Sequence, residues 1–375
     1  MAARIAALAA VLLCVSTPAA AGARHQDRLL LSHPYPIEAA PSFPGGLFHW
    51  IDSLAGTSVG KTVPAHRAEF LRLFGQPTPS DLAEFEAFVA ARDEHGRHEA
   101  EAAARKGVSP RASAMLSVFC ASATVEDALA SLKPELTPET WGRLAGALAY
   151  FRPKYGVVWN GGAIPEAFLR AAREDSGRAR LESLLATIVR FYDVEPLAVP
   201  PPRIALVPVP SGWGTHAEAI GSVLLLEIRS EDTLAEEASV IVHENSHFLW
   251  TLVAAERRRR LAAAAAGVSD TAEETFRLLH EAIPTALGQG VADHVFRPAG
   301  WSLDDFWYHT DDIDRCAKRI YPIILDALNA GLTLDEELVK RAIRAAETPG
   351  GRGFLSPPRP EPIFPKANRA FGERP

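Results

Sequence analysis

The chain has 375 residues, 47% of them hydrophobic and 23% charged, which suits a soluble globular protein with material for one large core or two ordinary ones. Its formal net charge of -7 argues against nucleic acid as a partner, since such proteins carry a basic surplus or stripe.

Residues 1–23 read as a secretory signal peptide. Arg4 gives a positive start, Ile5 to Val15 form an apolar stretch too short to span a bilayer comfortably, and Ala19-Ala20-Ala21 or Ala21-Gly22-Ala23 could end at a cleavage site. The expected location is therefore periplasmic or extracellular, with no stable membrane insertion once the signal is removed. Cys14 leaves with that segment. Cys120 and Cys316 remain, an even pair in an oxidising compartment that could form a disulfide or stay as two buried thiols.

Residues 24–62 are rich in Pro and Gly and read as loop, pinned in places by Phe43, Leu47, Phe48 and Trp50. Residues 63–195 read as a helical region. Helical patterns cover Pro64 to Phe74, a stretch opened by Ser80, Ala112 to Leu132, Pro138 to Tyr150 with Thr137 as N-cap, and Pro165 to Tyr192. His95 and His98, three apart in a charged stretch, read as solvated side chains rather than ligands. Around Pro200-Pro201-Pro202 the character changes. Arg203 to Val209 reads as a strand, placed near a sheet edge by Pro208, and Ser211 to His216 as a turn. Ser222 to Ile228 reads as a second strand. Residues 196–347 form the expected catalytic region, and 348–375 a flexible Pro, Gly and Arg-rich tail.

Within 196–347 lies Val240-Ile241-Val242-His243-Glu244-Asn245-Ser246-His247-Phe248-Leu249. On a helix starting near Thr233, His243 and His247 stand one turn apart on one face and can reach a single metal ion. Glu244 then stands beside the metal as a candidate general base. A hydrolytic zinc site keeps three protein ligands, so a third is expected downstream. Arg257 to Arg260 suit a helix C-terminus, where cations are favoured. In the next helix, Glu273 and Glu274 occupy the first turn. Glu281 is an acid embedded among Leu278, Leu279, Ala282 and Ile283, and a buried carboxylate needs a cation. His280 and Asp293 are the rival third ligands.

His243-Glu244-x-x-His247 followed by Glu281-Ala282-Ile283 and Gly288 resembles the gluzincin class of zinc metallopeptidases, of which thermolysin is the familiar member. The resemblance covers residues 233–293. It implies an α+β, mainly α fold with a zincin-like core, a small strand region over the metal helix and a helical N-terminal part. It also implies one zinc per chain on His243, His247 and Glu281, with Glu244 as general base and a peptide or protein as substrate. Where that class has an aspartate four residues after the ligand glutamate, steadying a ligand histidine, this chain has Thr285; either another group such as Asp293 takes that role or the site is held more loosely. The class also uses a tyrosine or histidine beyond the third ligand to stabilise the oxyanion, for which Tyr308, His309 and Tyr321 are the candidates. The same site chemistry would serve an amidase or deacylase of the cell envelope. A non-catalytic binding protein on a zincin fold, or a metal-free helical scaffold, are the remaining readings, and an intact Glu244 argues against the former.

Overall fold

A computed structural model describes residues 37–56, 62–106, 114–174, 176–194, 202–209 and 216–348. The expected signal segment, the turn at 211–215 and the tail beyond Thr348 lie outside them.

The architecture is α+β and mainly helical, built around one four-stranded sheet. Strands β1 (Glu38–Pro41), β2 (Arg203–Pro208), β3 (Ala217–Ile220) and β4 (Val223–Ile228) lie in the order β1-β2-β4-β3. The first three in that order run parallel, and β3 pairs antiparallel with β4 on an edge. A two-residue hairpin, Gly221-Ser222, joins β3 to β4, and Gly221 supplies the positive φ of 64° that such tight turns demand.

Both faces of the sheet are covered, so β2 and β4 are near-continuous apolar runs. Strand alternation divides their side chains between two cores. Ile204, Leu206, Leu224, Leu226 and Ile228 join the core around the His243–His247 helix. Ala205, Val207, Val223 and Leu225 join a second core built by the N-terminal helices.

The N-terminal layer consists of α1 (Phe43–Ala55), α2 (Val63–Phe74), α3 (Pro79–Lys106), α4 (Ala114–Ala121), α5 (Val125–Leu132) and α6 (Pro138–Gly161). The expectation of loop over 24–62 therefore fails where this stretch is described. Ser42 caps α1 by accepting from the Gly45 amide, and Pro44 fits the first turn, where no N–H is needed. Leu47, Phe48, Trp50 and Ile51 are then buried on the sheet-facing helix. Glycine and proline here mark a helix start. The continuous helix expected over 112–132 is broken, with Thr124 capping α5 through the Asp127 amide. Thr137 caps α6 as expected, and Thr78, not Ser80, accepts the Asp81 amide at the start of α3.

Helices α7 (Glu166–Glu174) and α8 (Ser176–Phe191), grouped by sequence with the N-terminal region, pack instead into the second layer through Phe168, Leu181, Leu184, Leu185 and Ile188. That layer continues with α9 (Leu234–Leu252), α10 (Ala255–Ala266), α11 (Ala272–Thr285), a π-helical segment (Ala286–Ala292), α12 (Asp293–Phe296), α13 (Asp311–Ala330) and α14 (Glu336–Glu347). The run Arg257 to Arg260 belongs to α10 itself. Only Arg258 serves a preceding helix end, donating to the carbonyls of Trp250 and Thr251.

Pro208 does not put β2 on an edge: the strand is central. Its neighbour Val209 donates to the Ile228 carbonyl on the β4 side, so position 208 faces the β1 side, where β1 has already ended opposite Leu206. The missing N–H costs no ladder bond there. Cys120 and Cys316 are both free and buried, one in each core, so they are the separate thiols of the second expectation. No described helix is long and apolar enough to cross a membrane.

Candidate metal and catalytic centre

Helix α9 starts where its residues say it should. Thr233 accepts from the Glu236 amide while the Glu236 carboxylate accepts from the Thr233 amide, a complete capping box. Ala238, Ile241, Val242 and Leu249 bury one stripe of the helix completely. That packing fixes its rotation and turns His243 and His247 toward α11. There, Glu281 meets both. His243 Nε2 lies 3.1 Å from Glu281 Oε1, His247 Nε2 lies 3.4 Å from Glu281 Oε2, and the two imidazole nitrogens stand 3.1 Å apart.

Two ring nitrogens and a carboxylate facing one another at these separations have an electronic problem that a cation resolves. Each pair of facing atoms must share a proton or leave two lone pairs opposed. Zinc bound tetrahedrally at about 2.0–2.1 Å sets its ligand atoms about 3.3 Å apart, close to the separations seen. The donor set of two imidazoles and one carboxylate is that of a catalytic zinc site. These three residues can therefore hold a metal ion. Burial alone would raise the Glu281 carboxyl, but hydrogen bonds and charge from His243 and His247 hold it far below the ordinary range. His247 moves the other way: burial opposes its charged form, and Glu281 more than compensates, raising it.

Glu244 projects beside this group. Burial raises its carboxyl in spite of both histidines and the Ala219 amide, which donates to Oε2 at 3.2 Å. A carboxylate with raised proton affinity is what a general base working near neutrality requires. The amide it accepts belongs to the edge strand β3, so the candidate base touches the rim of the sheet.

Gly288 sets how closely the π-helical segment approaches α9. A Cβ there would lie 2.5 Å from the Ser239 carbonyl oxygen and 3.0 Å from His243 Cβ, so only glycine fits. π-Helical widening is frequent at functional sites. Here it begins just after Pro284, within a stretch that the sequence pattern reads as ordinary helix.

Of the three oxyanion candidates, Tyr308 faces the centre. Its ring lies nearly parallel to His243, at 13° with centroids 6.1 Å apart. Burial, then the Glu281 and Glu244 carboxylates, push the phenol well above its ordinary value, so it stays a donor. His309 packs its ring on Tyr308 with centroids 4.4 Å apart. Tyr321 is turned elsewhere: its hydroxyl is 2.9 Å from His294 Nδ1, its ring packs on Trp301 and Trp307, and burial pushes its phenol up to about 12.

The rival ligands are also turned elsewhere. His280 is wedged edge-on against Trp250 and Phe276. Asp293 pairs with Arg297 at 2.8 Å. It does not take the place of the missing steadying aspartate. Neither does Thr285, whose hydroxyl donates to the Glu281 carbonyl. His243 Nδ1 is left buried with no partner. The donor set thus fits a metal, while the orienting acceptor behind the first histidine is absent among the described residues.

Sequence reading missed two features. Asp314, buried in the first turn of α13, accepts from the Trp307 and Tyr308 amides at 2.7 and 3.2 Å and pairs with Lys318 at 2.9 Å, which holds the Tyr308 backbone in place. The other is a second group, His49, His66 and Glu227, fully buried on the opposite face of the sheet. Its signal was present: Glu227 is an acid in the apolar run Val223 to Ile228, the same anomaly that exposes Glu281. His95 is not the solvated side chain expected: it is 4% exposed and meets Glu99 and the half-exposed Glu135 rather than His98.

No family model, no curated protein and no solved structure matches this chain.

Proposed function

We propose that this protein is a zinc-dependent hydrolase of peptide bonds with a gluzincin-like centre, in which His243, His247 and Glu281 hold the ion. The observation that carries this reading is the convergence of both Nε2 atoms and the Glu281 carboxylate within 3.1–3.4 Å of one another, with the Glu244 carboxyl beside them on the same helix. When bound, the ion supplies Lewis-acid polarisation of a carbonyl and acidifies a water molecule. Glu244 accepts the proton of the attacking water and later delivers it to the leaving amine. Its raised proton affinity suits both halves of that task. Tyr308, kept protonated by burial and by the neighbouring carboxylates, donates to the oxygen on which negative charge develops.

The edge strand supports the choice of substrate class. The Ala219 amide points away from β4 and is held by Glu244, at the rim of the sheet and beside the centre. An extended peptide can pair with such an edge through main-chain hydrogen bonds, independent of its side chains. This favours a peptide or protein substrate over a small envelope amide.

Two substitutions test the reading together. Glu281→Ala is expected to lose the ion from this centre along with all hydrolysis of a denatured protein substrate. Glu244→Gln is expected to keep the ion and lose hydrolysis. A fully active Glu244→Gln protein would sink the mechanism.

A further inference from the structure

We propose that His49, His66 and Glu227 form a second metal site, a structural one for a zinc-like divalent cation, buried between the N-terminal helices and the sheet. Glu227 enters the N-terminal core because strand alternation turns it, with Leu225, away from α9. His49 comes from α1 and His66 from α2. Their Nε2 atoms lie 2.9 and 2.7 Å from the same oxygen, Glu227 Oε1, and the Thr62 hydroxyl lies 2.9 Å from it as well. The Glu227 side chain is 0% exposed, and the two imidazoles 3% and 4%.

Three donors crowd one carboxylate oxygen, which has two lone pairs. Meanwhile His66 Nδ1 is buried with no partner. If both imidazoles donate through Nε2, His66 Nδ1 is either an unfilled acceptor or an unfilled, charge-bearing donor, and both are costly in a buried position. A cation bound between the two Nε2 atoms and Oε1 removes the crowding, because one ion replaces the competing protons and the 2.9 and 2.7 Å separations open toward the roughly 3.3 Å between zinc ligand atoms. It also places a proton on His66 Nδ1. Glu69, one turn along α2, has a buried Oε2 with no partner, an acceptor of the kind that orients a ligand histidine. Carboxylates act on both imidazoles, Glu69 on His66 and Glu218 and Asp52 on His49, with Asp52 also paired to Arg92 at 3.1 Å. A catalytic site keeps an open position, so closure from solvent assigns this one a structural role.

That role is specific. Glu227 Oε2 accepts the His216 amide at 3.0 Å, and His216 leads directly into β3. Three residues further on, the Ala219 amide meets Glu244. A metal on Glu227 therefore anchors one end of the strand that borders the first centre.

The test is a metal count on the full chain, stripped with chelator and reloaded with Co2+. Two ions per chain are expected, with one left in Glu281→Ala and one left in Glu227→Gln. A His95→Gln protein is expected to keep both, which excludes the surface group. X-ray absorption of Glu281→Ala should show its remaining ion with two imidazoles and no exchangeable water. If Glu227→Gln does not fold, the wild-type count and the spectrum of Glu281→Ala still decide. One ion in the wild type that is lost wholly in Glu281→Ala overturns the second site and leaves the first. One ion in the wild type that survives Glu281→Ala and is lost in Glu227→Gln overturns the first centre alone. No ion in the wild type overturns both.

Discussion

Tyr308 and Glu237 show how much a single side chain can reveal about each neighbourhood. Asp314 accepts the Tyr308 backbone amide, and burial, with the Glu281 and Glu244 carboxylates, keeps the phenol protonated. Tyr308→Phe should lower kcat about 10²–10³-fold, the usual cost of losing one oxyanion donor, while metal content and KM stay near wild type. An unchanged kcat would assign the ring to packing alone. Glu237 is a different case. It is 4% exposed, its Oε2 has no partner, and burial, followed by the nearby Asp232, pushes its carboxyl up to about 8. Its folded-state value lies above the ordinary 4.5, so folding favours the protonated form. The contribution to stability is present in full below 4.5 and is lost as pH rises through about 8. Thermal melts across that window should show Tm falling with pH, and Glu237→Gln should flatten the fall. A variant with the wild-type slope would locate the dependence elsewhere.

At the scale of elements, the contact between α9 and the π-helical segment is the most demanding. Gly288→Ala must displace either the Ser239 carbonyl or His243, since the new methyl would sit 2.5 Å from the former. Overpacking of this kind costs about 1–3 kcal/mol, and here the displaced side chain is a ligand. The expected result is a lower Tm together with weaker metal retention under chelator challenge. A change in Tm alone would mean that the strain relaxes away from His243. Element by element, α9 was legible because its cap, apolar stripe and two histidines agree in register. α11 was legible because Glu281 contradicts its apolar surroundings. β1 and β3 were not. Glu38-Ala39-Ala40-Pro41 and Ala217-Glu218-Ala219-Ile220 have little strand propensity and are extended because their neighbours supply the pairing. The Gly221-Ser222 pair was the available sign of the hairpin. The group on Glu227 was hidden for another reason: its histidines lie 161 and 178 residues away, and no local period links them.

For the molecule as a whole, the sheet is shared property. β2 and β4 contribute alternate residues to two cores, so neither core is complete without the same two strands. That coupling predicts a single cooperative unfolding transition. Leu225→Ala removes a completely buried side chain from the N-terminal core, at a cost of about 2–5 kcal/mol. Its effect should appear equally in a far-ultraviolet signal and in hydrogen exchange of α9, on the other face. Destabilisation confined to the N-terminal helices would show that the layers unfold separately. This sharing is not legible in the residues, because the apolar run in β4 reads the same for one covered face or two.

The hairpin between β3 and β4 has a consequence for heredity of form. Its loop has only two residues, so it leaves no slack: β3 is locked in step with β4. One inserted residue between Gly221 and Ser222 would shift that step and invert which way every β3 amide points. The His216 amide would leave Glu227 and the Ala219 amide would leave Glu244 in the same event. Descendants of this chain can lengthen many of its surface loops, but this one is a vernier, and tampering with it misaligns both scales at once.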